Sequence, residues 1–189
     1  MDDLRPDEAL MLAYRDGEAG AFDVLYGRNR GKLYRYLARQ AASHADELFQ
    51  DVWMRVINAR SGYEVTAKFS TWLFRIAHNR LMDHFRAQGR SLIEFTEPQG
   101  DDDDCPALDP PAPTNSEPDA MLARKNLAQR ILDALEELPA AQREAFLLTE
   151  EGGLSLDEIA VATGVGKETA KSRLRYALER LRRTLGDAA

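Results

Sequence analysis

The sequence predicts an all-α protein in which two small helical domains are joined by an acidic, proline-rich linker. Apolar residues recur every three or four positions through both ends of the chain of 189 residues, which is the period of an amphipathic helix. No run of alternating polar and apolar residues, bounded by turn residues, predicts a strand. Residues 91–119 contain six of the eight prolines, and proline does not sustain the interior of a helix. The predicted domains therefore cover residues 1–90 and 120–189.

The acidity of the chain is concentrated in the linker. The formal net charge is −7, yet nine of the 32 acidic residues lie between residues 91 and 119, where there is no Lys or Arg. The rest of the chain has 23 acidic and 25 basic residues. Because a block of like charge repels itself, we expect an extended and flexible linker. Composition leaves open whether it is a plain solvated spacer or an acidic tether that mimics nucleic acid in a basic channel.

Composition also bears on the compartment and the chemistry of the protein. No apolar run approaches the roughly 18 to 20 residues that a membrane span needs, and the N-terminus lacks a basic start followed by an apolar stretch. Cys105 is the single cysteine, which excludes a disulfide framework and favours a cytoplasmic protein. The histidines and Cys105 show no metal-ligand spacing, and no glycine-rich phosphate loop occurs. We therefore expect no metal, no cofactor, no membrane insertion and no enzymatic activity.

Four helices are predicted in the first domain, over residues 7–15, 18–40, 46–59 and a stretch that begins near residue 70. Asp7 is expected to cap the first helix, and Ser70 or Thr71 the fourth, because a side-chain oxygen there can accept a free amide of the first turn. The apolar residues expected to face inward on the third helix are Phe49, Val52, Trp53 and Val56.

The fourth helix has two chemically different sides. At roughly 100° per residue, one side gathers Phe69, Leu73, Ile76, Ala77, Leu81 and Phe85. The opposite side carries Trp72, Arg75, Asn79 and Arg86. A ring, an amide and cations on one stripe suit single-stranded nucleic acid, whose bases stack and whose phosphates are anionic. The alternative is that Trp72 is a partly buried core residue. His78 and His84 are expected at the surface rather than as ligands.

Two helices open the second domain. The first is predicted by an apolar stripe made of Leu127, Ile131, Leu135 and Leu138. Pro139 stands at the start of the next helix, a position at which proline is tolerated, and Gly152 and Gly153 are expected to end that helix.

The segment from Leu154 to Arg183 predicts a helix-turn-helix. Ser155 followed by Glu158 is a capping box, and Gly164 permits the positive φ of a tight turn. Val165 then packs between two helices, the second of which begins near Lys167. The buried face of this second helix is predicted to consist of Ala170, Leu174, Ala177, Leu178 and Leu181.

The second helix of this motif is strongly basic. Residues 167–183 contain seven basic side chains and two acidic ones. On an ordinary helix such a run is as often a solvated face, but on the second helix of a helix-turn-helix it indicates contact with DNA phosphates. Ser172 and Arg175 point away from the core and Lys171 lies on the flank. These residues are therefore candidates to meet base edges or phosphates in the major groove.

Four motifs follow one another along the chain: DELFQDVWMRVINA (46–59), KFSTWLFRIAHNRLMDHFRAQGR (68–90), LPAAQREAFLL (138–148) and GLSLDEIAVATGVGKETAKSRLRYALERL (153–181). In this order they resemble a bacterial RNA polymerase sigma factor of the extracytoplasmic-function group. The resemblance implies a sigma region 2 bundle over 1–90, the linker over 91–119 and a sigma region 4 domain over 120–189. It implies an alternative sigma factor that binds core RNA polymerase and directs promoter-specific initiation.

The resemblance also implies roles for individual residues. Those expected to read the minus-35 duplex are Lys167, Lys171, Ser172, Arg173 and Arg175. Those expected to recognise and melt the minus-10 element are Trp72, Arg75, Asn79, Arg80, Asp83, Arg86 and Arg90. Those expected to dock on the clamp helices of the largest polymerase subunit are Glu47, Gln50, Asp51, Met54 and Asn58. The flap of the second-largest subunit and an anti-sigma factor are further implied partners.

Some residues depart from the family pattern, and one rival function remains. Glu168, Thr169 and Ala170 differ from the usual start of the recognition helix, and Arg175 stands where some members have an aromatic residue, so no promoter sequence is implied.

The rival is a free-standing helix-turn-helix regulator. Such a regulator needs a dimerisation or ligand module in its first domain and binds duplex DNA alone. A sigma factor of this kind binds duplex weakly until core polymerase joins it.

Overall fold

The computed structural model describes residues 3–89 and 118–186, with side chains described from residue 127 onward in the second range. The expectations for Arg90, Cys105 and the linker up to residue 117 concern residues outside these ranges. The described residues form helices and turns without a strand, so the all-α prediction is confirmed.

The described part of each half contains four α-helices. The first half consists of α1 (Asp7–Arg15), α2 (Ala19–Gln40), α3 (Ala45–Ala59) and α4 (Phe69–Ala87), with 3-10 turns at Ala42–His44 and Arg60–Gly62. The second half consists of α5 (Pro118–Glu136), α6 (Ala140–Glu150), α7 (Leu156–Thr163) and α8 (Lys167–Gly186). Helix α5 begins two residues inside the predicted linker.

Two predicted N-terminal caps in the first half are wrong. Asp7 lies inside the first turn of α1, and its carboxylate instead accepts hydrogen bonds from Arg28 at 2.8 Å and Asn29 at 2.7 Å. Helix α4 begins at Phe69, so Ser70 and Thr71 lie inside its first turn and neither caps it. Lys68 occupies the capping position, and its side chain forms no capping bond. A free amide N–H at a helix start can donate to any well-placed oxygen, and here Glu8 of another helix supplies that oxygen to the N–H of Phe69.

The apolar sides predicted for α3 and α4 lie in the core of the first half. Val52, Trp53 and Val56 are buried on α3, whereas Phe49 is only partly buried. On α4, the buried members of the predicted apolar side are Phe69, Leu73, Ala77, Leu81 and Phe85, with Ile76 partly buried. The ring of Trp53 lies 5.8 Å from that of Phe22, edge to face.

The helix-turn-helix is confirmed in its local details. The Ser155 hydroxyl accepts the amide of Glu158, and the Glu158 carboxylate accepts the amide of Ser155 at 2.8 Å. Gly164 ends α7 with φ of 70°, and an added Cβ would meet no atom within 4 Å. Its requirement for glycine is therefore set by the backbone rather than by packing. Pro139 directly precedes α6, which ends at Glu150, before the predicted glycine pair.

The two halves are packed against each other and share one continuous core. Helix α7 packs on α4, and α6 packs on α2. The shared core contains Phe74 from α4 together with Leu148, Leu154 and Ile159 from the second half. The sequence predicts each half separately but does not predict this contact, because residues far apart in the chain form it.

Candidate nucleic-acid and polymerase surfaces

Four of the five candidate minus-35 residues lie at or near the surface of α8. Lys171 is exposed, and the Ser172 hydroxyl donates to the Glu168 carbonyl at 2.8 Å. The Lys167 ammonium lies 2.9 Å from the Asp157 carboxylate, which raises the pKa of Lys167 above its ordinary value. The Arg175 guanidinium lies 4.7 Å from the centre of the Tyr176 ring. These residues give the outward side of α8 a cationic surface.

Arg173 lies elsewhere. Its side chain is 8% exposed and faces Glu144 of α6, whose negative charge opposes the lowering of the Arg173 pKa by burial. A local signal for this position was present in the sequence. Arg173 follows Ala170 by three residues and precedes Ala177 by four, which places it beside the buried row of the helix. In this arrangement Arg173 is covered and does not belong to the outward cationic surface.

The outward side of α4 carries a smaller set of candidate minus-10 residues than the sequence predicts. Arg75 and Asn79 are exposed, and Arg86 is exposed and paired with Asp83 at 2.7 Å. Trp72 is only partly buried but packs edge to face against the Tyr63 ring, with the centroids 5.0 Å apart. Its position therefore fits the interpretation as a partly buried core residue.

Arg80 connects α4 to α3 instead of facing solvent. Its Nε donates to Asp51 at 2.7 Å and its Nη2 donates to Glu47 at 3.4 Å. The Arg80 side chain is 14% exposed. The same helical count that places Leu73 and Ile76 inward also places Arg80 between them. The sequence predicts that Arg80 holds a DNA phosphate and that Asp51 and Glu47 face polymerase. In the structure Arg80 is instead bonded to both carboxylates.

The outward side of α3 is a mixed polar and apolar stripe. Glu47, Gln50 and Asn58 are exposed, and Met54 is 53% exposed. Asp51 is half-buried and accepts a hydrogen bond from Arg80. An exposed methionine flanked by polar side chains is suited to a protein partner, since the flexible thioether side chain adapts to an irregular surface.

The expectation that His78 and His84 lie at the surface is wrong. His84 is buried, with its ring 4.5 Å from the ring of His44. His78 is mostly covered, and its Nδ1 lies 2.7 Å from Oε1 of Glu144. The helical count also places His84 on the inward side of α4.

Within the described ranges no group of His, Cys, Asp and Glu side chains could hold a metal ion, and no helix has the length and apolarity to cross a bilayer.

Comparison with known protein families matches both halves of the chain. The Sigma-70 region 2 family matches residues 25–91, and the Sigma-70, region 4 family matches residues 128–181. RNA polymerase sigma factor CarQ of Myxococcus xanthus is 32% identical over 179 residues, covering 94% of this chain and 96% of that protein. The ECF RNA polymerase sigma factor SigM of Mycobacterium tuberculosis is 31% identical over 184 residues, covering 96% and 86%. The chain belongs to the extracytoplasmic-function group of RNA polymerase sigma factors.

Two solved structures have the same fold as this one. The sigma factor RpoE, in complex with the anti-sigma factor NepR from Bartonella quintana, is 25% identical with a TM-score of 0.64, over 89% of this chain and 98% of that one. CnrH, in complex with the cytosolic domain of CnrY, is 23% identical with a TM-score of 0.66, over 97% and 99%. Members of the sigma-factor family are not enzymes. The family binds core RNA polymerase and promoter DNA.

In this sigma factor, the region 2 match covers most of α2 and all of α3 and α4, and the region 4 match covers the end of α5, all of α6 and α7 and most of α8. Glu144 of α6 lies 2.7 Å from His78 of α4, and its negative charge acts on Arg173 of α8. Sequence reasoning assigned no role to Glu144, since a glutamate on an amphipathic helix is usually exposed.

Proposed function

We propose that this sigma factor initiates transcription by dividing three contacts among three helices. Helix α3 docks on the clamp helices of the largest polymerase subunit, α4 captures the minus-10 strand, and α8 reads the minus-35 duplex. The observation that carries the proposal is the helix-turn-helix, whose capping box and left-handed Gly164 fix α8 with a cationic outward side. The protein works in the cytoplasm, together with core polymerase.

Helix α8 is suited to the major groove. The groove is wide enough for one α-helix, and base edges there distinguish all four base pairs. Lys171 and Arg175 lie four residues apart, so both can meet DNA from one side of the helix. Arg175 is held against Tyr176, which limits its rotamers before DNA arrives. Lys167 and Lys171 supply phosphate contacts, while Ser172 and Arg175 meet base edges.

Helix α4 is suited to a separated strand. Arg75 and Asn79 are neighbours one turn apart, and Arg86 lies two turns further along the same side. The amide of Asn79 contacts a base, and the guanidinium groups of Arg75 and Arg86 hold phosphates. Arg90, which has the same proposed role, lies outside the described residues. Stacking and pocket contacts contribute roughly 1 to 3 kcal/mol per base, which offsets part of the free-energy cost of unpairing the bases. Trp72 supports the start of α4, and Arg80 positions α3.

Helix α3 supplies the polymerase contact. Glu47, Gln50, Met54 and Asn58 form its outward stripe, and Asp51 is held at its edge by Arg80. Carboxylates beside an exposed methionine suit a coiled coil that is basic and partly apolar. The flap of the second-largest subunit binds region 4. An anti-sigma factor regulates this protein, a proposal supported by the complex of the similar sigma factor RpoE with the anti-sigma factor NepR.

The experiment that tests the proposal is in vitro transcription with bacterial core polymerase on a genomic promoter library. Specific initiation that depends on this protein is the expected result. Absence of specific initiation with any core polymerase contradicts the proposal. The alternative, a free-standing regulator, predicts tight and sequence-specific duplex binding by the isolated chain, whereas the sigma factor binds duplex weakly without polymerase.

A further inference from the structure

A cavity of about 280 Å³ lies between α2 on one side and α5 and α6 on the other. The wall from α2 consists of Tyr34, Arg35, Ala38 and Arg39, which share one side of that helix because they are three to five residues apart. The opposite wall consists of Gln129, Leu132, Leu135, Glu136 and Arg143. None of these residues belongs to the DNA or polymerase surfaces described above, so the cavity is a separate feature of the molecule.

One part of the cavity is apolar. Leu132 and Leu135 lie three residues apart on α5 and therefore on the same side of the helix. Leu135 is buried and Leu132 is half-buried, while the small side chain of Ala38 leaves space on the wall from α2. An apolar group placed in this part of the cavity loses contact with water, which favours its binding.

An aromatic ring held in place by its neighbours lies at the same wall. Tyr34 is 41% exposed, and its ring packs edge to face against the ring of Phe49, with the centroids 5.6 Å apart. Its hydroxyl donates a hydrogen bond to the carboxylate of Asp46. Because both contacts orient the side chain, the Tyr34 ring offers a fixed surface to an occupant of the cavity.

Two guanidinium groups of α2 lie beside each other in the cavity wall. Nε of Arg35 is 2.6 Å from one oxygen of Glu151, and Nε of Arg39 is 3.8 Å from the other oxygen. A guanidinium has five N–H donors, so a contact through Nε leaves donors that can meet a second anion. Glu151 therefore positions both cations without using all their donors.

A third guanidinium comes from the opposite wall. Nε of Arg143 donates to the side-chain oxygen of Gln40 at 3.2 Å, and its Nη1 donates to the backbone carbonyl of Glu136 at 3.4 Å. Three arginines thus face two carboxylates, those of Glu136 and Glu151, which leaves an excess of one positive charge around the cavity. Such a surrounding favours an anionic group, which arginine binds in a fixed geometry.

The volume of the cavity limits the size of an occupant. A cavity of about 150 Å³ holds benzene, and typical ligand sites start at about 300 Å³. The cavity of about 280 Å³ is therefore suited to a molecule of about ten non-hydrogen atoms. A cavity of this size is too small for a folded partner segment and fits a small molecule.

We propose that this cavity binds a small amphipathic anion, which has one carboxylate or phosphate group on a short apolar body. The anionic group meets Arg35, Arg39 and Arg143, and the apolar body lies against the leucines of α5 and the aromatic ring of α2. Since the walls come from both halves of the chain, the occupant contacts both and raises the stability of the folded protein by mass action. The site does not depend on the proposed function, because its occupant touches no residue of the DNA or polymerase surfaces.

The experiment is isothermal titration calorimetry of the full-length chain with four small molecules. Octanoate and phenyl phosphate have a carboxylate and a phosphate on an apolar body of suitable size. Octanamide keeps the body without the charge, and inorganic phosphate keeps the charge without the body. We expect the tighter of the two amphipathic anions to identify the preferred anionic group, and octanamide and inorganic phosphate to bind about tenfold more weakly than that anion. The proposal is overturned if neither amphipathic anion binds, or if octanamide or inorganic phosphate binds as tightly.

Variants of the full-length chain locate the binding. Arg39→Gln removes one cation and should weaken the Kd of the tighter anion about tenfold while leaving the Kd of octanamide unchanged. The matched control is Arg30→Gln, which changes an exposed arginine of the same helix outside the cavity wall and should bind as the wild type does. If the folded Arg39 variant binds the anion as tightly as the Arg30 variant, the proposal is overturned.

A second variant keeps the test decisive if Arg39→Gln does not fold, which circular dichroism reports. Leu132→Gln replaces a half-buried apolar side chain on the opposite wall with a polar one of similar size. It should weaken binding of both the tighter anion and octanamide, since both place the apolar body there. An unchanged Kd for the tighter anion in this folded variant would likewise overturn the proposal.

Discussion

The carboxylate of Glu8 on α1 accepts the backbone N–H of Phe69, the first residue of α4, at 2.6 Å. This bond satisfies a free amide at the helix start and fixes α4 relative to α1. Loss of an N-terminal cap typically costs about 1 kcal/mol. We therefore expect Glu8→Ala to lower the free energy of unfolding by about 1 kcal/mol in urea denaturation, and Glu8→Gln, which keeps an acceptor oxygen, to lower it less. Asp23→Ala, an exposed acid on α2, is the control, and equal effects of Glu8→Ala and Asp23→Ala would contradict the cap.

The relation between Glu8 and Phe69 also shows where prediction from sequence ends. The capping box of Ser155 and Glu158 and the turn at Gly164 were predicted correctly because each depends on neighbours within a few residues. Glu8 could not be found in this way, since 61 residues separate it from its partner. The hydrogen bond between Tyr36 on α2 and Glu144 on α6 raises the same problem, because these two residues meet only when the two halves are docked.

On α4, helical position predicts burial better than the chemical type of a residue does. The helical count that assigned Leu73 and Ala77 to the core also places Arg80 and His84 on the same side of α4. Chemical type predicts that an arginine and a histidine are exposed, whereas helical position predicts that they are covered, and the structure agrees with helical position. Asp51 makes burial of Arg80 possible by pairing with it, and the sequence does not reveal such a partner.

Arg75 and Arg80 are expected to separate DNA binding from folding. Arg75 is exposed, so Arg75→Ala should leave the free energy of unfolding unchanged and reduce open-complex formation, as measured by permanganate footprinting. Arg80→Ala breaks the bonds to Asp51 and Glu47 and should lower the free energy of unfolding by about 1 kcal/mol, a value reduced because both acids are partly solvated. If Arg80→Ala reduced open-complex formation at an unchanged free energy of unfolding, while Arg75→Ala lowered the free energy of unfolding, then Arg80 and not Arg75 would contact the strand.

Met54 tests the polymerase surface of α3. The side chain is 53% exposed, and Met54→Lys places a cation where we propose contact with a basic coiled coil. Binding to core polymerase, measured by surface plasmon resonance, should weaken by about tenfold, which corresponds to about 1.4 kcal/mol. Val65, between α3 and α4, is a matched control at 52% exposure, and Val65→Lys should leave the Kd unchanged. Equal Kd values for both variants would place the polymerase contact elsewhere.

Lys171 tests the duplex contact of α8 through salt dependence. The side chain is exposed on the outward side of the helix, where a phosphate contact releases counterions from DNA. For the sigma factor assembled with core polymerase, Lys171→Ala should weaken promoter binding and reduce the slope of log K against log salt by about 0.9. Lys32 is an exposed lysine on α2, and Lys32→Ala should leave the slope unchanged. A weaker complex with an unaltered slope would mean that Lys171 acts through the fold of α8 and not through a phosphate, since only a lost ionic contact changes the number of counterions released.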